Sequence, residues 1–115
     1  MLNQKNDALV GMLLECAIKC EQSAAECISS KDMEVMMECM QVCRDCASMC
    51  MQTARMLKIG SKLGMHYLAL CNEMCIMCAE ECSKHSKSGC CKECVECCRK
   101  CAEACEAQHA TMAAN

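Results

Sequence analysis

Cysteine is the residue with chemistry to offer in this sequence, occupying 18 of 115 positions. The spacing is regular. Cys39, Cys43, Cys46 and Cys50 form a Cys-x3-Cys-x2-Cys-x3-Cys run, and Cys71, Cys75, Cys78 and Cys82 repeat it. Cys90, Cys94, Cys97 and Cys101 repeat it again, followed by Cys105. Cys16, Cys20, Ser23 and Cys27 carry the same run with one substitution, and Cys91, Cys98 and Cys105 form a second row at intervals of seven. Steps of four, three and four mark one stripe along a helix, the seam of a heptad. Thiolate is the softest common protein ligand, and it selects Cu(I), zinc or iron–sulfur clusters.

Charge separates these candidates. Buried thiolates without compensation are not tolerated in an apolar interior, so the metal-free thiols stay protonated and metal displaces the protons. One Cu(I) per thiolate restores neutrality, which gives a capacity of about 18 ions per chain. Zinc favours closed four-ligand sites, usually on Cys-x2-Cys knuckles at tight turns, whereas these stripes contain no Gly or Pro. The run Cys91, Cys94, Cys97, Cys101 matches the ferredoxin spacing, but Ala102 stands where that motif has Pro, and a cluster wants a loop around it. A zinc or Fe–S protein, the latter an electron carrier, is therefore the alternative to Cu(I). A disulfide framework fits poorly: the chain has no Pro and four Gly, and helical neighbours are badly placed to bond. Simple packing is also insufficient, because an aliphatic seam would bury far more than a thiol seam does.

The elements that must position these residues are helices. Abundant Ala, Met, Glu, Lys and Gln and the lack of Pro favour them. Breaks at 29–32, 60–64 and 86–89 predict helices near 5–28, 33–58, 64–85 and 90–111. Short connections make successive helices antiparallel, so the expected fold is an all-α, up-down-up-down four-helix bundle with a cysteine-lined core, one domain over 1–115. Antiparallel threading predicts four layers: Cys27/Cys39/Cys82/Cys90, Ser23/Cys43/Cys78/Cys94, Cys20/Cys46/Cys75/Cys97 and Cys16/Cys50/Cys71/Cys101. Cys91, Cys98 and Cys105 are expected at the inner flank.

Continued one way, the seams reach Leu9, Leu13, Leu57 and Leu68, with Met12, Met56 and Met65 close by, which predicts a plugged end. Continued the other way, they reach Met36 and His85, which could guard a metal mouth near Cys27, Cys39, Cys82 and Cys90, with Met33 and Met40 nearby. Flexible Met also serves as core filler, and His85 near a helix C-terminus also suits the helix dipole. His66 is expected on the outer face and His109 off the seam.

Other classes find little support. No apolar run is long enough to span a membrane, no basic block suggests nucleic acid, and the net charge is −3. No nucleophile triad, phosphate loop or paired carboxylates point to an enzyme. A chaperone that delivers a metal needs one exposed site rather than many buried ones. The repeated Cys-x3-Cys stripes at 16–20, 39–43, 46–50, 71–75, 78–82, 90–94 and 97–101 resemble those of the bacterial copper-storage proteins. That resemblance implies multiple copper(I) ions held in the core by cysteines, and a homotetramer. Members with and without a leader exist, and the absence of an evident leader here resembles the cytoplasmic type. Ser23 departs from the full stripe and leaves one position of the second layer without a thiolate.

Overall fold

A computed structural model describes residues 6–29, 31–85 and 91–114. Four helices account for nearly all of them: α1 (Asp7–Ile28), α2 (Met33–Lys58), α3 (Gly64–Ser83) and α4 (Lys92–Ala114). The described residues include no strand. The helices lie in an elongated bundle measuring 48 × 22 × 18 Å. Each helix packs on the next in sequence and α4 closes on α1, so the connectivity is up-down-up-down. Packing is most extensive between α1 and α2 and between α3 and α4, and thinnest between α1 and α4.

Local sequence explains the boundaries. Gly60, at φ 70°, ends α2 in a left-handed turn that only glycine adopts without strain. The Ser61 N–H donates to the Met56 carbonyl at 2.9 Å and the Gly60 N–H to that of Leu57 at 3.2 Å, the paired bonds of a Schellman cap. Arg55 and Lys58 in the last turn of α2 and Asp7 in the first turn of α1 both complement the helix dipoles. Lys58 and Asp7 also pair at 2.6 Å, tying those two termini together.

The seam predicted for each of the first three helices is the one that is buried. On α1 it runs Leu13, Cys16, Cys20, Ser23, Cys27, and on α2 Met36, Cys39, Cys43, Cys46, Cys50, Thr53, Leu57. On α3 it runs Gly64, Leu68, Cys71, Cys75, Cys78, Cys82. Small residues flank the seams: Ala17 and Ala24 on α1 and Ala47 and Ala54 on α2 are buried, each pair seven apart. Methyl-sized side chains there let α1 and α2 approach closely, which accounts for the extensive packing of that pair. Ala79 and Ala102 are the buried small residues of α3 and α4.

The expected plug is present. Leu13, Leu57 and Leu68 are at most 2% exposed. Thr53 is buried beside them and its hydroxyl donates to the Tyr67 carbonyl at 3.4 Å. Met12 is 37% exposed and belongs to the surface instead, while Met112 packs on the core. Its methyl carbon stands 3.9 Å from where a Gly64 Cβ would lie. Met112 falls in the part of α4 that runs beyond the expected end at residue 111. No helix is long and apolar enough to cross a membrane among the described residues.

Candidate metal centre

The described cysteines are reduced thiols outside any disulfide, and all but Cys97 are buried, none of those more than 1% exposed. Cys90 lies outside the described residues. The sulfurs form a ladder down the bundle axis. At one end Cys39 reaches Cys82 and Cys91, both at 3.4 Å. In the next layer Cys43 donates to the Ser23 hydroxyl at 3.5 Å and meets Cys94 and Cys78 at 4.0 Å. Below it Cys46 meets Cys75 at 3.8 Å and Cys98 at 3.9 Å, and Cys20 meets Cys98 at 3.7 Å. Cys71 then reaches Cys50 at 3.9 Å, and Cys101 completes a group with Cys50, Cys71 and Cys75. Rungs join the layers: Cys43 to Cys82 at 3.3 Å, Cys94 to Cys20 at 3.6 Å, Cys16 to Cys98 at 3.8 Å and Cys50 to Cys75 at 3.8 Å. The network therefore has no break along its length.

The layers hold as expected for α1, α2 and α3, and one correction concerns α4. Its buried face is Cys91, Cys94, Cys98, Cys101 and Cys105, not the stripe through Cys97. Cys98 takes the place expected for Cys97, and Cys91 pairs with Cys39 where Cys90 was expected. Cys97 is half-buried at the α1 side of the helix. The reason is that the sequence over this region carries two overlapping frames of the same motif. Cys90-Cys94-Cys97-Cys101 and Cys94-Cys98-Cys101-Cys105 both read Cys-x3-Cys-x2-Cys-x3-Cys. Only the second continues the alternation of three and four through Cys105 and on to Met112, and Val95 and Ala102 are buried on the same side.

This placement removes the ferredoxin-like alternative. Cys94 and Cys101 on α4, and Cys91 just before it, are buried at the axis while Cys97 lies half-buried at the flank of the helix, so the four do not converge. Met36 is buried at 4% exposure, one turn before Cys39. The His85 N–H donates to the Cys82 carbonyl at 3.0 Å, and its ring lies 3.2 Å from the Glu81 carboxylate. Both residues thus stand at the Cys39/Cys82 end. Met33 is exposed and Met40 partly buried, His66 lies on the outer face, and His109 is half-buried.

Crowded thiols share protons. Cys16 accepts from Cys101, Cys20, Cys46 and Cys50, which holds it below the usual thiol range. Its neighbours bear the cost: the bonds that Cys46 and Cys98 make to Cys16, followed by those to Cys20, hold both thiols up, and burial adds to it. Cys75, accepting first from Cys101, is pushed down to about 7. The first proton lost from such a ladder is stabilised by the S–H donors around it, and each later one becomes harder to remove. Many thiolates can coexist there only if a cation enters for each proton that leaves.

Geometry also distinguishes the cations. Sets of four sulfurs lie within 4.8 Å of one another, and they overlap: Cys16, Cys46, Cys20 and Cys98 each belong to more than one. Closed zinc sites need four thiolates each and cannot all be filled from shared ligands. Monovalent soft ions, bridged by thiolates that serve two ions, can use every sulfur.

The comparisons with known proteins agree. The family model for copper storage proteins matches residues 2–110. The chain belongs to the copper storage protein family. A solved structure, that of the Cu(I)-bound copper storage protein BsCsp3, superposes on this copper storage protein with a TM-score of 0.83 at 26% identity. The match covers 90% of this chain and 97% of that one. No curated protein matches it in sequence.

Proposed function

We propose that this copper storage protein holds many Cu(I) ions as cargo on the thiolates lining its core. The ligands are Cys16, Cys20, Cys27, Cys39, Cys43, Cys46, Cys50, Cys71, Cys75, Cys78, Cys82, Cys91, Cys94, Cys98, Cys101 and Cys105, with Cys90 and Cys97 completing the set. The observation that carries this reading is the unbroken overlap of four-thiol groups along the axis. Each Cu(I) that enters displaces about one proton, so the core stays neutral as it fills. Met36 and His85 stand where they could receive an ion at the Cys39/Cys82 end.

In this reading the chain is one storage domain over 1–115, works in the cytoplasm, and is a reservoir rather than an enzyme. We also propose a homotetramer, the state the family resemblance implies. A nearly apolar surface groove lined by Val10, Leu14, Met51, Ala54 and Ile59, with Arg55 and Lys58 beside them, supports self-association. A mass in solution of one chain would remove the assembly and leave the storage.

The decisive experiment is an anaerobic titration of the reduced, metal-free protein with Cu(I) against a competing chelator, with helicity followed throughout. Roughly one ion per cysteine at constant helicity is expected from charge neutrality. Saturation at one or two ions would make the chain a carrier and leave the core thiols without a purpose.

A further inference from the structure

The thinnest interface of the bundle, between α1 and α4, has a cleft of about 340 Å³ on its outer side. Among the described cysteines, Cys97 alone is not buried, and it lines this cleft with Glu15, Lys19, Glu93, Glu96 and Lys100. Cys97 does not stand alone. Cys16 is fully buried and lies on α1 between Glu15 and Lys19, which line the same cleft. Cys16 is in turn 3.8 Å from Cys98 and belongs to more than one of the four-thiol groups. Cys97 in the cleft thus faces the α1 segment that carries Cys16, and Cys16 opens into the middle of the ladder. The described thiols at the axial end, Cys27, Cys39 and Cys82, are at most 1% exposed. Above the cleft the Lys19 ammonium and the Glu93 carboxylate pair at 3.0 Å, strapping α1 to α4.

We propose that the α1–α4 cleft is a lateral exchange port, at which a Cu(I) ion carried by a small carboxylate-bearing thiol passes to Cys97, then to Cys16, and so into the store. The port rests on the storage reading above. The exchange is a ligand substitution with no change of oxidation state. Cys97 gives up its proton as its sulfur bonds to copper, and one carrier thiolate leaves and takes that proton. Cys16 repeats the step, releasing the second carrier molecule as a thiol. An inner thiol then replaces Cys97 on the ion and hands its proton to the departing Cys97 thiolate, which is ready for the next ion. Lys19 and Lys100 give the cleft the cations that a carrier's carboxylates need, and the nearby glutamates match its ammonium groups.

The experiment follows transfer of Cu(I) from its glutathione complex to reduced protein under anaerobic stopped-flow, with capacity measured on the same samples. In Cys97→Ser the initial rate should fall about tenfold, since thiol exchange depends on access to the attacking sulfur. Leu70→Ser, at an exposed position of α3 that does not line the cleft, should keep the parent rate. Glu93→Gln, which slackens the strap, should speed transfer about twofold. A Cys97→Ser rate equal to the parent's overturns the port and leaves storage standing. A parent capacity of one or two ions overturns the storage reading instead. Should Cys97→Ser lose helicity, Glu93→Gln decides, and a rate equal to the parent's overturns the port.

Discussion

The two stretches of the bundle axis obey one spacing rule with opposite contents. Toward the end where α2 meets α3, the seam positions are Leu13, Leu57 and Leu68, which fill the axis with aliphatic volume. Beyond them the same positions carry sulfur from Cys16, Cys50 and Cys71 onward. The helices do not change character at the boundary, and α2 runs unbroken from Met33 to Lys58 through both. The leucine end contributes stability through burial that a thiol cannot match. The sulfur stretch contributes capacity, and its thiols are tolerable in a core only while neutral or metal-bound. Fold and cargo site are thus built from one heptad by exchanging side chains along it.

The largest test of this contrast is alkaline pH. Cys43, Cys46, Cys82, Cys98 and Cys101 are all held above the ordinary thiol value of 9.0. A folded pKa raised above the unfolded one gives stability that is full below the unfolded value and is lost as pH rises toward the folded value. Thiols held down, such as Cys16 and Cys78, exert their effect below 9.0, where they add stability as pH rises, and add no opposing slope above it. Metal-free protein should therefore lose about 1.4 kcal/mol per pH unit above 9 for each thiol that only the unfolded chain ionises. Copper-loaded protein, already holding thiolates, should melt at nearly constant temperature over the same range. Parallel melting curves for the two forms would refute neutral thiols in the empty channel.

A smaller effect separates the leucine end. Leu68→Ala should destabilise the metal-free protein by about 2–5 kcal/mol, read by chemical denaturation, because it opens a cavity in the plug. Copper capacity should be unchanged. A loss of capacity matching the loss of stability would mean that the two stretches are not separable.

The smallest change is Ser23→Cys. Ser23 donates to Cys91 at 3.6 Å and accepts from Cys43 at 3.5 Å, so its hydroxyl already occupies a sulfur's place. The substitution should alter stability by less than about 1 kcal/mol and raise capacity by about one ion. Unchanged capacity would show that the ladder is limited by something other than its thiol count.

The helices, their antiparallel order and the seams of α1, α2 and α3 were legible because each of those helices has one frame of cysteines. Helix α4 was not, since Cys90 and Cys91, like Cys97 and Cys98, are adjacent, and both frames satisfy the motif locally. The discriminating signal lay further along, in the step from Cys101 to Cys105 and on to Met112. The alanine stripes at Ala17/Ala24 and Ala47/Ala54 also stand at heptad spacings, but alanine is so common in helices that the spacing alone does not mark a packing face. The role of Cys97 was hidden for another reason. Its exposure depends on how far α1 and α4 separate, a property of two distant segments that no spacing within either encodes.

The short sulfur contacts also set a hazard. Cys43 and Cys82 are 3.3 Å apart and Cys39 and Cys82 3.4 Å, in each case joining α2 to α3. A peroxide that reached the empty ladder could convert such neighbours into cross-links, each removing two ligands at once and stapling two helices together. Reductant supply would then govern how much of the vessel is usable, and a filled vessel would be its own antioxidant shield.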